Sequence, residues 1–239
     1  MRKLALLSLF SVLLFGAGTS AAQCPSGCLF YGGDFEENNP NANALANEND
    51  AIVGGNPYGA ATYQNFTHGQ TWNVTNLFTD NLSGLNPQTG YWEIRTGVSE
   101  GNGGTLIASG TAPLTHTLTG RIDFGFAEYR DQVNGLDLTL APGTYWMAVV
   151  PQDLNDANRS YNTNTFGLDS VGTQTSNDQF FNSPFFGSTF TNASNQGVFA
   201  TFSSGVLGTE APEPSGLIMF GSGLVAAAGV VRNRSRRTR

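Results

Sequence analysis

The chain predicts an all-β fold, a jelly-roll-like antiparallel β-sandwich occupying residues 23–209. Three observations predict it. Turn-forming residues recur about every 8–12 positions. Between them lie short segments in which apolar and polar residues alternate with period two. No amphipathic helix is legible between the two ends, where Asn, Thr, Ser and Gly outnumber the charged helix formers.

Taken in order, residues 38–50 are rich in Asn and poor in large apolar side chains, which predicts a surface loop. Residues 71–79 are a further strand candidate. In Thr-Gly-Tyr-Trp-Glu-Ile-Arg-Thr-Gly, Trp92, Ile94 and Thr96 share one face, while Glu93 and Arg95 share the other and are expected to face solvent. Residues 105–109 follow. Then Ile122, Phe124 and Phe126 are expected to line one face of a strand. Leu136, Leu138 and Leu140 alternate cleanly with Asp137 and Thr139, and Pro142-Gly143 turns the chain. In the next segment Tyr145, Met147 and Val149 alternate with Trp146, Ala148 and Val150, so both faces are apolar, as for a central strand. Residues 163–171 and 197–203 complete the set. Exposed, the aromatics at Phe180, Phe181, Phe185 and Phe186 would be a sugar-stacking or protein-docking patch; they are expected instead to fold onto the sandwich, since four exposed phenylalanines invite aggregation.

The ends differ from the middle. Arg2 and Lys3 precede an apolar run over residues 4–15 and small residues up to Ala22, the layout of a secretory signal peptide (1–22) cleaved after Ala22. Gln23 stands where a small residue should precede a lipidated cysteine, which argues against a lipoprotein. At the other end, residues 210–239 hold Pro212-Glu213-Pro214, an uncharged apolar stretch over 217–231 and five arginines after it. The prolines prevent the motif from joining a following helix. Residues 215–231 number 17, the lower limit for a single transmembrane helix. The arginines would remain cytoplasmic, leaving the domain on the far side of the inner membrane.

Without its ends the chain is strongly acidic. Residues 23–214 contain no lysine; Arg95, Arg121, Arg130 and Arg159 face all 18 carboxylates, a net charge of −14. Such a domain repels nucleic acid, which is bound through Lys and Arg. Cys24 and Cys28 are expected to form a local disulfide in an oxidising compartment.

Candidate chemistry is sparse. His68 and His116 lie 48 positions apart without Cys or His neighbours, and are expected to be ordinary strand or surface residues. No Gly-x-Ser-x-Gly elbow nominates a nucleophile. Glu93, Glu128 and Asp123 lie on candidate strands, where outward charge serves solvation; a hydrolytic pair would need two carboxyls about 5–10 Å apart across a groove. The chain is therefore expected not to be an enzyme and to need no cofactor. Asp153, Asn155, Asp156 and Asn158 crowd side-chain oxygens as Ca²⁺ requires, and an Asx-rich turn accounts for the same spacing without metal. Tyr58, Tyr63 and Tyr161, flanked by polar residues, are candidates for ligand binding. Asn-x-Ser/Thr triplets at Asn65, Asn73, Asn81, Asn158 and Asn192 follow from composition.

Signal, Pro-Glu-Pro motif, short span and basic end occur in the order that resembles the PEP-CTERM class of exported bacterial proteins. That resemblance implies processing by signal peptidase and by an exosortase, with Pro212, Glu213 and Pro214 as the sorting motif. It further implies passage through a transient membrane-anchored stage, then residence in the envelope, at the outer surface or outside the cell. The producer would be an exopolysaccharide-forming bacterium. The segment running from Tyr91 to the Leu-Ala-Pro-Gly-Thr-Tyr-Trp stretch loosely resembles the β-sandwich ectodomains found upstream of such tails. Two functions then remain open: a structural or interaction role in the envelope matrix, and a lectin-like module, with or without Ca²⁺, acting on exopolysaccharide.

Overall fold

A computed structural model describes residues 24–173 and 178–211. The signal segment, Pro212-Glu213-Pro214, the apolar span and the arginine-rich end lie outside the described residues.

The described chain is all-β. Its strands are β1 (Cys28–Tyr31), β2 (Ala44–Ala46), β3 (Asn49–Asp50), β4 (Ala61–His68), β5 (Trp72–Ser83), β6 (Thr89–Thr96), β7 (Thr105–Asp123), β8 (Phe126–Val133), β9 (Leu138–Leu140), β10 (Gly143–Asp153), β11 (Ser160–Thr165), β12 (Phe180–Ser183), β13 (Ser188–Asn192), β14 (Thr201–Phe202) and β15 (Ser204–Glu210). The only helical element among the described residues is a 3₁₀ turn, Ala193–Gln196. None of the described residues forms a helix long and apolar enough to cross a membrane.

Strand order is β1-β15-β5-β8-β7-β6-β10-β4-β12-β13. The ladders are antiparallel except for the short parallel pair of β3 with β10. The 19-residue β7 joins two layers. Its first part, through Pro113, pairs with β6, and from Leu114 onward it pairs with β8. Proline lacks the N–H a continuing ladder needs, so Pro113 sits where the strand changes partners. Between the layers lie Phe30, Phe66, Trp72, Val74, Leu77, Trp92, Ile94, Val133, Leu140, Met147, Val149 and Val206, one buried cluster drawn from both. Such an arrangement is consistent with a β-sandwich.

Several predicted strands are borne out. β10 is central, with Met147 and Val149 in the inter-layer core and Trp146, Ala148 and Val150 in a second cluster on the opposite face. Leu136, Leu138 and Leu140 pack inward. Trp92 and Ile94 do the same from β6.

Other expectations are corrected. Residues 38–50 are not a surface loop throughout: they supply β2 and β3, and Asn47, Glu48, Asn49 and Asp50 are all buried. Their polar side chains stand in for missing ladder partners. The Asn47 amide donates to the Val149 carbonyl (2.8 Å) and to Asn81 (3.1 Å), while Asp50 Oδ1 accepts from the N–H groups of Ile52 and Val53. Ile122, Phe124 and Phe126 do not line one strand face. Phe124 and Gly125 have φ of 49° and 84° and make the two-residue turn of the β7–β8 hairpin. Ile122 and Phe124 are consequently 66% and 59% exposed. The strand expected over 163–171 ends at Thr165, and that over 197–203 shrinks to Thr201–Phe202.

The Cys24–Cys28 disulfide is formed. Gly27 within it has φ of 81°, a left-handed conformation that suits glycine, and its carbonyl accepts from the Gly208 N–H at 2.8 Å. The clip thereby ties the start of β1 to the last strand, β15. Both ends of the described domain emerge at the Trp72 end of β5, because Glu210 pairs with Trp72 and Cys28 with Leu207.

Candidate functional site

Charge is placed inside. Asp34, Glu48, Asp50, Asp80, Glu93, Glu128 and Asp131 are each at most 2% exposed. Each of the four arginines reaches one or more of them, giving three clusters.

The first covers the outer face of β6. Glu93 accepts both from Arg95 (Nε–Oε1 2.7 Å, Nη2–Oε2 3.1 Å) and from the hydroxyls of Tyr91 (2.9 Å) and Tyr63. Tyr58 bonds Tyr63 at 2.6 Å and accepts from the Asn182 amide at 2.8 Å. The Phe190 ring closes the group, 5.1 Å beneath the Arg95 guanidinium. Burial drives the Tyr63 phenol well above its ordinary value and carries Tyr91 to about 12, with the Glu93 charge adding to both. These phenols therefore remain protonated donors.

The second lies toward the Ser83 end of β5. Arg130 meets Asp80 through two contacts of 2.7 Å and lies over the Phe78 ring at 4.1 Å. The Tyr31 hydroxyl donates to Asp80 (2.8 Å) or Asp34 (2.6 Å), and Ser203 donates to Asp80 at 2.9 Å. Arg121 stands between Asp34 (2.7 Å) and Glu128 (3.1 Å); its N–H groups are not well aimed, so these are ionic contacts rather than directed hydrogen bonds. Burial raises Glu128 to about 7, and the Asp80 charge adds to the effect, against the pull of Arg121. On the adjacent strand His116 meets Asp131 at 2.6 Å and stacks on Tyr129. Asp34 and Arg121 also form part of the wall of a cleft of 630 Å³ bounded by Glu36, Glu37, Pro40 and Leu168. Glu128, fully buried, lies behind that wall.

In the third, both Nε and Nη2 of Arg159 contact Glu48 Oε1 (2.8 and 2.5 Å), and the Ser160 N–H donates to Oε2 (2.6 Å). Burial pushes Glu48 up to about 7 despite these donors. The guanidinium lies 5.1 Å from the Tyr161 ring centre and 5.9 Å from that of Phe186. Phe126 packs on Tyr161 at 5.8 Å, and Phe185 meets Phe186 edge-on at 4.9 Å. Phe185 and Phe186 are 52% and 47% exposed; Tyr161 and Phe126 are half-buried. This third cluster is the surface-facing one, and it forms the candidate site.

The predicted site residues divide accordingly. Tyr58 and Tyr63 are 4% and 0% exposed. They are corrected from surface candidates to members of the Glu93 network, because the β12–β13 hairpin covers that face with Phe180 and Phe190. Tyr161 alone of the three stays at the surface. Phe180 and Phe181 fold inward as expected, whereas Phe185 and Phe186 do not. Asp153, Asn155, Asp156 and Asn158 form consecutive Asx turns, with Asp153 accepting from the Asn155 N–H (3.2 Å) and Asp156 from the Asn158 N–H (2.9 Å). Among the described residues no group of three or more His, Cys, Asp or Glu side chains is placed to hold a metal. Both histidines lie on strands; His68 stacks on Trp72 at 4.0 Å and meets the Gln70 carbonyl. Glu93 and Glu128 are buried, contrary to the expectation of solvated charge, and Asp123 stays outside.

Sequence reasoning missed Glu48, Asp80 and Arg159. One signal pointed at such pairing: in a domain with four cations, Glu93 and Arg95 stand two positions apart on one strand face. What the assembled geometry offers is recognition, by exposed rings set around a neutralised guanidinium. No family model, no curated protein and no solved structure matches this chain.

Proposed function

We propose that the chain is an exported cell-surface or extracellular-matrix protein with a structural or interaction role, a jelly-roll-like sandwich delivered by PEP-CTERM-type sorting. One observation carries this reading. The disulfide clip at Cys24–Cys28 and the end of β15 lie together at one pole, next to Gln23 on one side and Pro212 on the other. The cleft and the aromatic surface lie toward the other end of β5, where Tyr31 meets Asp80 and Asp34, and Leu82 and Ser83 pair with Tyr161 and Ser160. A molecule held by its tail would present them outward. A disulfide fits an oxidising compartment as well.

The test is fractionation of producing cells with and without the exosortase, with intact mass measured in each fraction. Loss of the last ~28 residues and a changed distribution, both dependent on the enzyme, are the expected result. Equal distribution and unchanged mass would refute the sorting claim. A second reading, a lectin-like module, is favoured by the exposed rings around Arg159.

A further inference from the structure

We propose that Tyr161, Phe126 and Phe186, arranged about Arg159, are a stacking platform for an uncharged carbohydrate. The inference rests on the lectin-like reading and adds to it the residues and the charge class of the ligand.

The platform is built rather than incidental. Arg159 is fixed by two contacts to a buried carboxylate, so its planar group is held between two rings. Phe186 is positioned by its N–H to Ser183 Oγ (3.1 Å) and by packing on the buried Phe181. Tyr161 rests on the cluster of Ala46, Val53, Ala60 and Phe181. Phe126 is the first residue of β8, directly after the hairpin turn. Rings held this way lose little conformational entropy when a ligand binds. The exposed amide of Asn158 sits beside Phe126, where Gly84 leaves room for it.

Sugar rings offer an apolar C–H face and a rim of hydroxyls, which matches aromatic faces flanked by amides and carboxylates. Charge selects the class. Above about pH 7, where Glu48 is ionised, it compensates Arg159; the other three arginines are engaged with buried carboxylates, and the domain has no lysine. Asp153 and Asp156 stand in the adjoining turn. A uronic-acid or sulfated polymer would meet only repulsion here.

Affinity electrophoresis of the purified protein tests this, with a neutral β-glucan, a galactomannan or a xylan in the gel. Polygalacturonate and chitosan serve as the anionic and cationic arms. The expected result is retardation by at least one neutral polymer, weakened about tenfold in Phe186→Ala and in Tyr161→Ala. Phe199→Ala, an exposed ring elsewhere, should leave it unchanged. Phe186→Ala guards against misfolding in the tyrosine variant, since its ring is half exposed, and thermal melting checks each protein. Retardation by none of the neutral polymers, retardation by a charged polymer alone, or retardation undiminished from wild type in the Phe186 and Tyr161 variants would overturn the proposal. This assay uses purified protein, so its failure leaves the sorting result untouched, and failure of sorting leaves the binding result untouched.

Discussion

Replacing Glu48 by Gln should change how stability depends on pH more than it changes stability itself. Glu48 is fully buried, and its carboxyl titrates at about 7 in the folded protein against 4.5 for an ordinary glutamate. Arg159 feels the pair as favourable to its charge, chiefly through the hydrogen bond to Glu48, whereas on Glu48 burial prevails. The two are compatible: the Arg159 side chain keeps 28% of its surface in water and that of Glu48 keeps none, so desolvation falls on the acid. Because the folded state holds this proton more tightly, the contribution is complete below about pH 4.5 and is lost as pH rises through 7. A difference of 2.5 pH units corresponds to about 3 kcal/mol, or roughly 6–12 °C in melting temperature for a domain of this size. Gln cannot ionise. Melting curves of both proteins from pH 4.5 to 8.5 at fixed ionic strength should therefore show the wild type losing ground to Glu48→Gln steadily across that window. A difference that stays flat, or that moves in favour of the wild type as pH rises, would show that Arg159 and Ser160 hold the carboxylate ionised and would refute the reasoning.

Glu128, also raised to about 7 chiefly by burial, acts in the same direction, so the wild type should melt higher at pH 5 than at pH 8 in a simple thermal scan. Arg130→Met should cost about 3–5 kcal/mol in denaturant titration, because Asp80 is left buried without its cation. Adding Asp80→Asn should recover a large share of that loss, and full additivity of the two single losses would argue against the pairing. Reduction of Cys24–Cys28, or Cys28→Ser, should lower stability by about 2 kcal/mol at most, since the closed loop is short. A Cβ at Gly59 would stand 1.6 Å from the Val53 carbonyl oxygen, so Gly59→Ala should lower the melting temperature by several degrees, whereas Gly69→Ala, which meets open space, should not.

What was legible in the sequence was whatever hydrophobic periodicity encodes. β10 was readable because Trp146, Ala148 and Val150 are apolar on the face opposite Met147 and Val149. β9 was readable through its leucines. The errors at the buried carboxylates share one physical cause, the assumption that a polar alternate on a strand faces water. On β6 and β8 the alternates Glu93, Glu128 and Arg130 face a second covering layer. That layer is made by the β12–β13 hairpin on one side and by residues 32–40 with 166–172 on the other. Periodicity cannot announce such a cover, since it comes from segments far away in the chain. Tyr58 and Tyr63 were misplaced for the same reason, and the buried Asn47–Asp50 run because Asn and Asp favour loops unless their side chains find buried partners. The Phe124-Gly125 turn was hidden by a phenylalanine at positive φ, a conformation bulky residues rarely adopt. Tyr161 was the one predicted ligand tyrosine to reach the surface, yet its partners Phe126, Arg159 and Phe186 lie 35 residues before it, two before it and 25 after it.

The distribution of charge connects fold and function. Seven of the 17 described carboxylates are buried and all four arginines are committed to the interior or its margin, so ten carboxylates remain outside with no lysine to offset them. The interior arrangement does not require this: buried ion pairs are often replaceable by apolar residues without loss of stability. The outer surface, however, becomes one sign of charge. Copies of the domain repel one another, and polyanions are kept away over about a Debye length, near 8 Å at physiological salt. A partner must then be uncharged, be cationic, or approach through bridging cations. Of these, the uncharged partner is matched by the exposed rings around Arg159, which offer dispersion and stacking. Specificity of this kind would be negative as much as positive: the proposed platform would supply the contact, and the surrounding acid would keep polyanions away.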